Sequence, residues 1–114
     1  MQIEQSTERE IPVLTPNGRL DTDTAPAFET ALLETLTEMN RVIVDLTEVD
    51  YVSSAGLRVV LMGAKRARKA EGGLVLCGMA PRIRDVFAVS GFLKILTTAE
   101  SREQAAELLV PGGD

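Results

Sequence analysis

The sequence predicts a single α/β domain spanning residues 1–114, built on a mixed β-sheet of about four to five strands flanked by about four α-helices. Three observations lead to this. Short apolar runs with strand character alternate with longer segments whose apolar residues recur at the helical interval. The run RVIVDL (41–46) carries a continuous β-branched stretch, Val42-Ile43-Val44, the pattern of a strand covered on both faces. A chain of 114 residues also suits one core, able to bury roughly 65% of its unfolded surface.

Taken in order, residues 1–5 have modest strand character, and Ile11–Thr15 is a better strand ending on Pro16, Asn17 and Gly18. A hairpin or an adjacent pair of strands is therefore expected. The first helix follows, with Asp23 or Thr24 as its cap and Pro26 in its first turn. Phe28, Leu32, Leu36 and Met39 share one of its faces, while Glu29, Glu34 and Glu38 lie on the wet ones. After the central strand RVIVDL, a second helix is expected from Ser54 or Ala55 to about Ala70. Leu57, Val60, Leu61, Ala64 and Ala67 face its core side, and Gly72-Gly73 ends it.

LVLCG (74–78) reads as another strand. Pro81 opens a third helix with Ile83, Val86 and Phe87 inward, and Gly91 stops it. KILT (94–97) is expected to be a last short strand. Ser101 caps a terminal helix, and residues 110–114 form a loose tail.

Composition narrows the function. The chain has no histidine, which excludes Ser-His-Asp catalysis, histidine acid–base work and histidine metal sites. Its formal net charge of -5 disfavours nucleic acid as a partner. No apolar run reaches the length of about 20 residues that a membrane helix needs, and the N-terminus is too polar for a signal peptide; a cytoplasmic protein is expected. The single cysteine, Cys77, sits inside an apolar run and reads as a core residue. No cofactor and no metal site is indicated; Asp21 and Asp23 lie close together but lack companion ligands at metal spacing.

The stretch DYVSSAGLRVVL (50–61) holds the most informative turn. A serine between strand and helix can accept a hydrogen bond from the first helical turn, a contribution of about 1 kcal/mol. The same place gathers unpaired N–H groups and the positive end of the helix dipole, so a phosphate there would be tolerated. Extended backwards, the helical wheel turns Ser54 toward the wet stripe and Ser53 toward the core. Arg58 and Met62 follow Ser54 on that stripe at spacings of four. Met62 suits an adaptable contact surface or is incidental apolar area; Lys65, Arg66, Arg68 and Lys69 suit either a binding face or a solvated helix C-terminus. An enzyme of the hydrolase or nucleotide-hydrolysing kind is disfavoured. SSAG lacks the glycines of a nucleophile elbow, and no glycine-rich phosphate loop ends in Lys-Ser/Thr.

In order along the chain, GRLDTDTAPAFE, VIVDLTEVDYVSSAGLRVVL and GGLVLCGMAPRIRDVFAVSGFLKIL resemble the STAS domain of bacterial anti-sigma factor antagonists, over about Ile3 to Leu109. The resemblance implies a non-enzymatic protein–protein switch. In that family, a kinase that is also the anti-sigma factor phosphorylates one serine at the start of the second helix. The unphosphorylated antagonist binds that kinase and frees the sigma factor, and a metal-dependent serine phosphatase resets the cycle. Aligning Gly56-Leu57 with the family motif places the acceptor at Ser54, with Ser53 as the alternative; together with the wet stripe of the second helix, the expected partner surface is Asp21, Ser53, Ser54, Ala55, Gly56, Arg58 and Met62. The free protein is expected to be a monomer. A STAS module of another assembly, such as a signalling scaffold, a secretion regulator or a transporter-associated subunit, is the alternative.

Overall fold

The computed structural model describes residues 1–110, so the expected loose tail lies, beyond Val110, outside the described residues. The strands are β1 (Gln2–Glu8), β2 (Ile11–Leu20), β3 (Arg41–Asp45), β4 (Val49–Val52), β5 (Gly73–Cys77) and β6 (Thr97–Ala99); the helices are α1 (Ala25–Glu38), α2 (Ser54–Lys69), α3 (Pro81–Val89) and α4 (Arg102–Leu109). The sheet order is β1-β2-β3-β5-β6, with β4 paired to β2 off this path. Only the β1–β2 pair is antiparallel. The α/β class and mixed sheet agree with the sequence reading, with six strands in place of four to five.

Beyond β4, which was not expected, three features differ from expectation. β2 does not stop at Pro16 but continues through Asn17 and Gly18 to Leu20, because its N-terminal half pairs with β3 and its C-terminal end pairs with β4. The hairpin turn is instead at Arg9 and Glu10, which both adopt positive φ (51° and 68°) as a two-residue turn requires. Neither residue carries the usual Asn or Gly signal. KILT is not a strand: Phe92–Lys94 forms one 3-10 turn, and the strand begins at Thr97.

The period-two alternation of β3 and β5 divides the core. Val42, Val44, Leu74 and Leu76 join Phe28, Leu32, Leu57, Val60, Ile83 and Phe87 under α1, α2 and α3. Ile43, Val75 and Cys77 face the other way and pack, with Ile11 and Val13, against Ala105 and Ala106 of α4. The burial of α2 is broader than its apolar arc predicts. Gly56, Val59 and Gly63 are buried beside Leu57, Val60 and Ala67, whereas Leu61 and Ala64 lie at the border. Gly63 explains the shift, since a Cβ there would collide with Leu32 of α1.

On the α4 face, Asp45 ends β3 as a buried carboxylate. Arg102 Nε donates to its Oδ2 (2.7 Å), Arg102 Nη2 to Thr15 Oγ1 (2.9 Å) and Nη1 to Ser6 Oγ (3.3 Å); Thr47 donates from both its backbone and its hydroxyl to Asp45 Oδ1. At the other end of α4, Arg41 Nη1 donates to Leu109 O (2.9 Å). Burial works against the charge on Asp45, but the bonds from Thr47 and Arg102 outweigh it and hold the carboxyl below its ordinary value of 3.8. Cys77 is in the opposite situation: burial first, then the Asp45 charge, push its thiol up to about 12, which leaves it protonated and inert.

A carboxylate with a lowered folded value stabilises the protein above its unfolded value, and that contribution is lost as pH falls through the folded one. Arg102→Ala should therefore cost about 3 kcal/mol at neutral pH by leaving Asp45 buried and unpaired. In urea unfolding the gap to wild type should narrow below about pH 4 as Asp45 protonates. A gap independent of pH would show that the ion pair is not what Arg102 contributes.

Candidate functional site

The C-terminal end of β2, the end of β4 and the first turn of α2 meet at one point. The Ser53 N–H donates to Leu20 O (2.9 Å), and Gly56, buried, sits so close that a Cβ there would stand 2.7 Å from Leu20 Cγ and 2.8 Å from Leu20 O. Only glycine permits this approach, so Gly56 serves the packing of α2 on β2. The serine turn and the Asp21 turn, which begins one residue after Leu20, are thereby held side by side.

Ser54 is the first residue of α2 and is exposed. Ser53 is the N-cap residue, in extended conformation (φ -97°, ψ 175°), and its hydroxyl is buried with no hydrogen-bond partner among the described residues. The wheel thus gives the orientation of both side chains correctly. The expected capping bond is absent: the Ser53 hydroxyl is turned into the protein, and no side-chain oxygen of the cap residue accepts from the first turn of α2. The leading N–H groups of a 16-residue helix are therefore left open beside the exposed hydroxyl of Ser54.

Asp21, rather than Asp23, organises the entry to α1. Its Oδ1 accepts from the Asp23 N–H (3.0 Å) and the Thr24 N–H (3.2 Å), its backbone oxygen accepts from Ala25 N–H (2.7 Å), and Arg19 Nε donates to Oδ2 (3.2 Å). Asp23 is exposed, and the cap residue is Thr24, whose hydroxyl donates to Arg19 O (2.7 Å). A carboxylate two residues earlier in an Asx-type turn does the work that position 23 was expected to do. Desolvation opposes the charge on Asp21, but the Thr24 N–H, the Arg19 guanidinium and the Asp23 N–H together hold its carboxyl below 3.8.

Of the other expected site residues, Arg58 is exposed, while Ala55 and Met62 are half-buried against the core. Sequence reasoning missed a neighbouring pair. Arg19 lies over the ring of Tyr51 at 4.1 Å, on strands that pair at this register, and Tyr51 is 42% exposed. The signal was present in the sole tyrosine of an aromatic-poor chain, two residues before Ser53. It was hidden because β4 was not recognised as a strand.

A cleft of about 510 Å³ lies elsewhere, on the α4 face, lined by Gln2, Glu4, Thr15, Asn17, Asp45 and Arg102 among others. Its only cation is Arg102, which already donates to Asp45, Thr15 and Ser6. No group of three metal-ligating side chains occurs among the described residues, and no helix among them is long and apolar enough to cross a membrane. The exposed serine turn is the feature with free chemistry.

A mixed sheet with α1, α2 and α3 on one face, α4 on the other and an exposed serine at the head of α2 defines a class that comparison makes explicit. Residues 2–105 match the STAS domain model, and the chain belongs to the STAS domain family. Over 66 residues it is 58% identical to BtrV of Bordetella bronchiseptica, provisionally named an anti-sigma factor antagonist; the match spans 58% of this chain and 57% of that protein's length. The fold is shared with an anti-sigma factor antagonist from Mycobacterium paratuberculosis (TM-score 0.86, 21% identity, covering 95% of this chain and 92% of that one). It is shared too with the Bacillus protein SpoIIAA in its phosphorylated form (TM-score 0.70, 20% identity, covering 94% and 98%).

A hydroxyl that makes no bond leaves nothing behind when removed. Ser53→Ala should change unfolding free energy by less than about 0.5 kcal/mol, in contrast to the usual loss at a serine cap. Ser101→Ala provides the reference. Its hydroxyl accepts from the Gln104 N–H (3.1 Å), and its loss should cost about 1 kcal/mol in the same denaturant titration. Equal losses at both positions would contradict the assignment.

Proposed function

We propose that the protein is an anti-sigma factor antagonist whose binding to a serine-kinase anti-sigma factor is switched off by phosphorylation of Ser54. The observation that carries this reading is the contrast between adjacent hydroxyls: Ser54 is exposed at an uncapped helix N-terminus, and Ser53 Oγ is buried. A kinase can reach only the first without unfolding the turn. The names borne by the family relatives support the regulatory role.

In the transfer, Ser54 Oγ attacks the γ-phosphorus of kinase-bound ATP; the new O–P bond forms as the bond to ADP breaks, and the hydroxyl proton passes to a base of the kinase. The product carries about -1.5 to -2 charges where the open N–H groups and dipole of α2 favour them, so the fold is retained. The same charge and bulk stand on the docking surface and expel the partner. A metal-dependent serine phosphatase restores the hydroxyl by transferring the phosphoryl group to water. These partners place the switch in the cytoplasm, with the free protein acting as a monomer.

Incubation with the cognate kinase and Mg-ATP should raise the intact mass by about 80 Da, with the added group mapped to Ser54. The gain should vanish in Ser54→Ala and persist in Ser53→Ala. Ser54→Asp should weaken kinase binding by about a hundredfold in calorimetry while the far-UV circular dichroism stays unchanged. Modification at Ser53, or full affinity in Ser54→Asp, would overturn the assignment.

A further inference from the structure

We infer that the outer face of α2 is a basic docking rail for an acidic surface of the kinase; the inference rests on the reading above and specifies the chemistry of the partner. Of the chain's 12 Lys and Arg, five lie on α2 (Arg58, Lys65, Arg66, Arg68 and Lys69), which contains no Asp or Glu. That leaves seven cations against 17 carboxylates in the rest of the chain. All five are exposed, and among the described residues none has a carboxylate within ion-pair distance; the three ion pairs found use Arg9, Arg19 and Arg102. An acidic protein has kept its acids away from one helix.

Helix electrostatics alone do not account for the pattern. Arg66, Arg68 and Lys69 occupy the last turn, where the dipole favours cations. Arg58 stands little more than a turn from the N-terminus, where the dipole disfavours a cation, and the first turn holds no acid although an acid is favoured there. Arg58, Lys65 and Lys69 lie on the stripe that starts at Ser54, with the half-buried Leu61 and Met62 between them. This is a cationic surface with a small apolar centre, aligned with the phosphoacceptor.

The complementary occupant is a compact acidic protein face. A nucleic acid or an anionic bilayer extends past α2 and meets the excess of carboxylates on the remaining surface. The stripe also lacks an aromatic anchor for a membrane, and its Leu61 and Met62 pack against the core. A phosphate on Ser54 sets its negative charge at the head of the rail, against the acidic partner, so the switch acts by charge reversal at a surface that otherwise attracts.

The test measures association with the kinase for wild type, Lys65→Glu/Lys69→Glu, and Lys94→Glu, an exposed reversal outside α2. The wild-type association rate should fall steeply between about 0.05 and about 0.3 M NaCl. The double reversal should slow association about tenfold or more at low salt and flatten the salt dependence, with Lys94→Glu close to wild type. Matching melting curves establish that the variants fold. A rate unaffected by the double reversal overturns the inference, as does selective binding of wild type to duplex DNA or to phosphatidylserine-containing vesicles with kinase affinity unmoved in the variant. If Ser54→Asp still blocks binding in those cases, the phosphoswitch stands and only the rail falls; if neither change affects binding, the phosphoswitch itself falls.

Discussion

Leu20 pins the head of α2 to the end of β2. Its backbone oxygen takes the Ser53 N–H, and its side chain occupies the space that any Cβ at residue 56 would need. The position of Ser54 is therefore set by the sheet rather than by a loop. β2 can deliver Leu20 to that point because it runs unbroken for 10 residues, pairing with β1 along one side and with β3 and then β4 along the other. The Asp21 turn, tied internally by the Thr24 and Asp23 amides, follows immediately and borders the same surface. Under the proposed function, a site held on rigid elements in this way changes by gaining charge, not by moving.

The two faces of the sheet divide the work. The α4 face is fastened by the Asp45–Arg102 pair and its threonine and serine partners, a buried polar network whose charges are matched within it. The cleft's one cation, Arg102, is engaged in that network, which makes this face structural despite its cleft. The face of α1, α2 and α3 buries its apolar residues and turns the cations of α2 outward. There the charges are left unmatched, and an unmatched charge pattern is what a partner surface can read.

Much of this was legible in the residues. RVIVDL and LVLCG read as buried strands because Val42-Ile43-Val44 and Leu74-Val75-Leu76-Cys77 are apolar runs without polar alternation. The helical period alone turns Ser54 outward and Ser53 inward. What escaped were features set by tertiary pairing. β4 is four residues long and polar at its centre, so its strand state depends on the exposed end of β2. The Arg9–Glu10 turn uses positive φ without glycine or asparagine, and no local rule marks it. Nothing local marks Asp45 as half of an ion pair, because its partner Arg102 lies 57 residues away. The missing cap at Ser53 is a matter of one side-chain torsion, beyond the reach of pattern reasoning.

If the switch is a charge placed on a pinned turn, its structural footprint must be small. The direct measurement is a comparison of amide chemical shifts between the unmodified and the Ser54-phosphorylated protein by two-dimensional NMR, with melting temperatures recorded alongside. The changes should be confined to the first turn of α2 and the Leu20–Thr24 turn, with β3, β5 and α4 unmoved and the melting temperature unchanged or raised. Shifts spreading through α4 and the central strands, or a clear loss of stability, would mean that phosphorylation remodels the fold and would contradict this account.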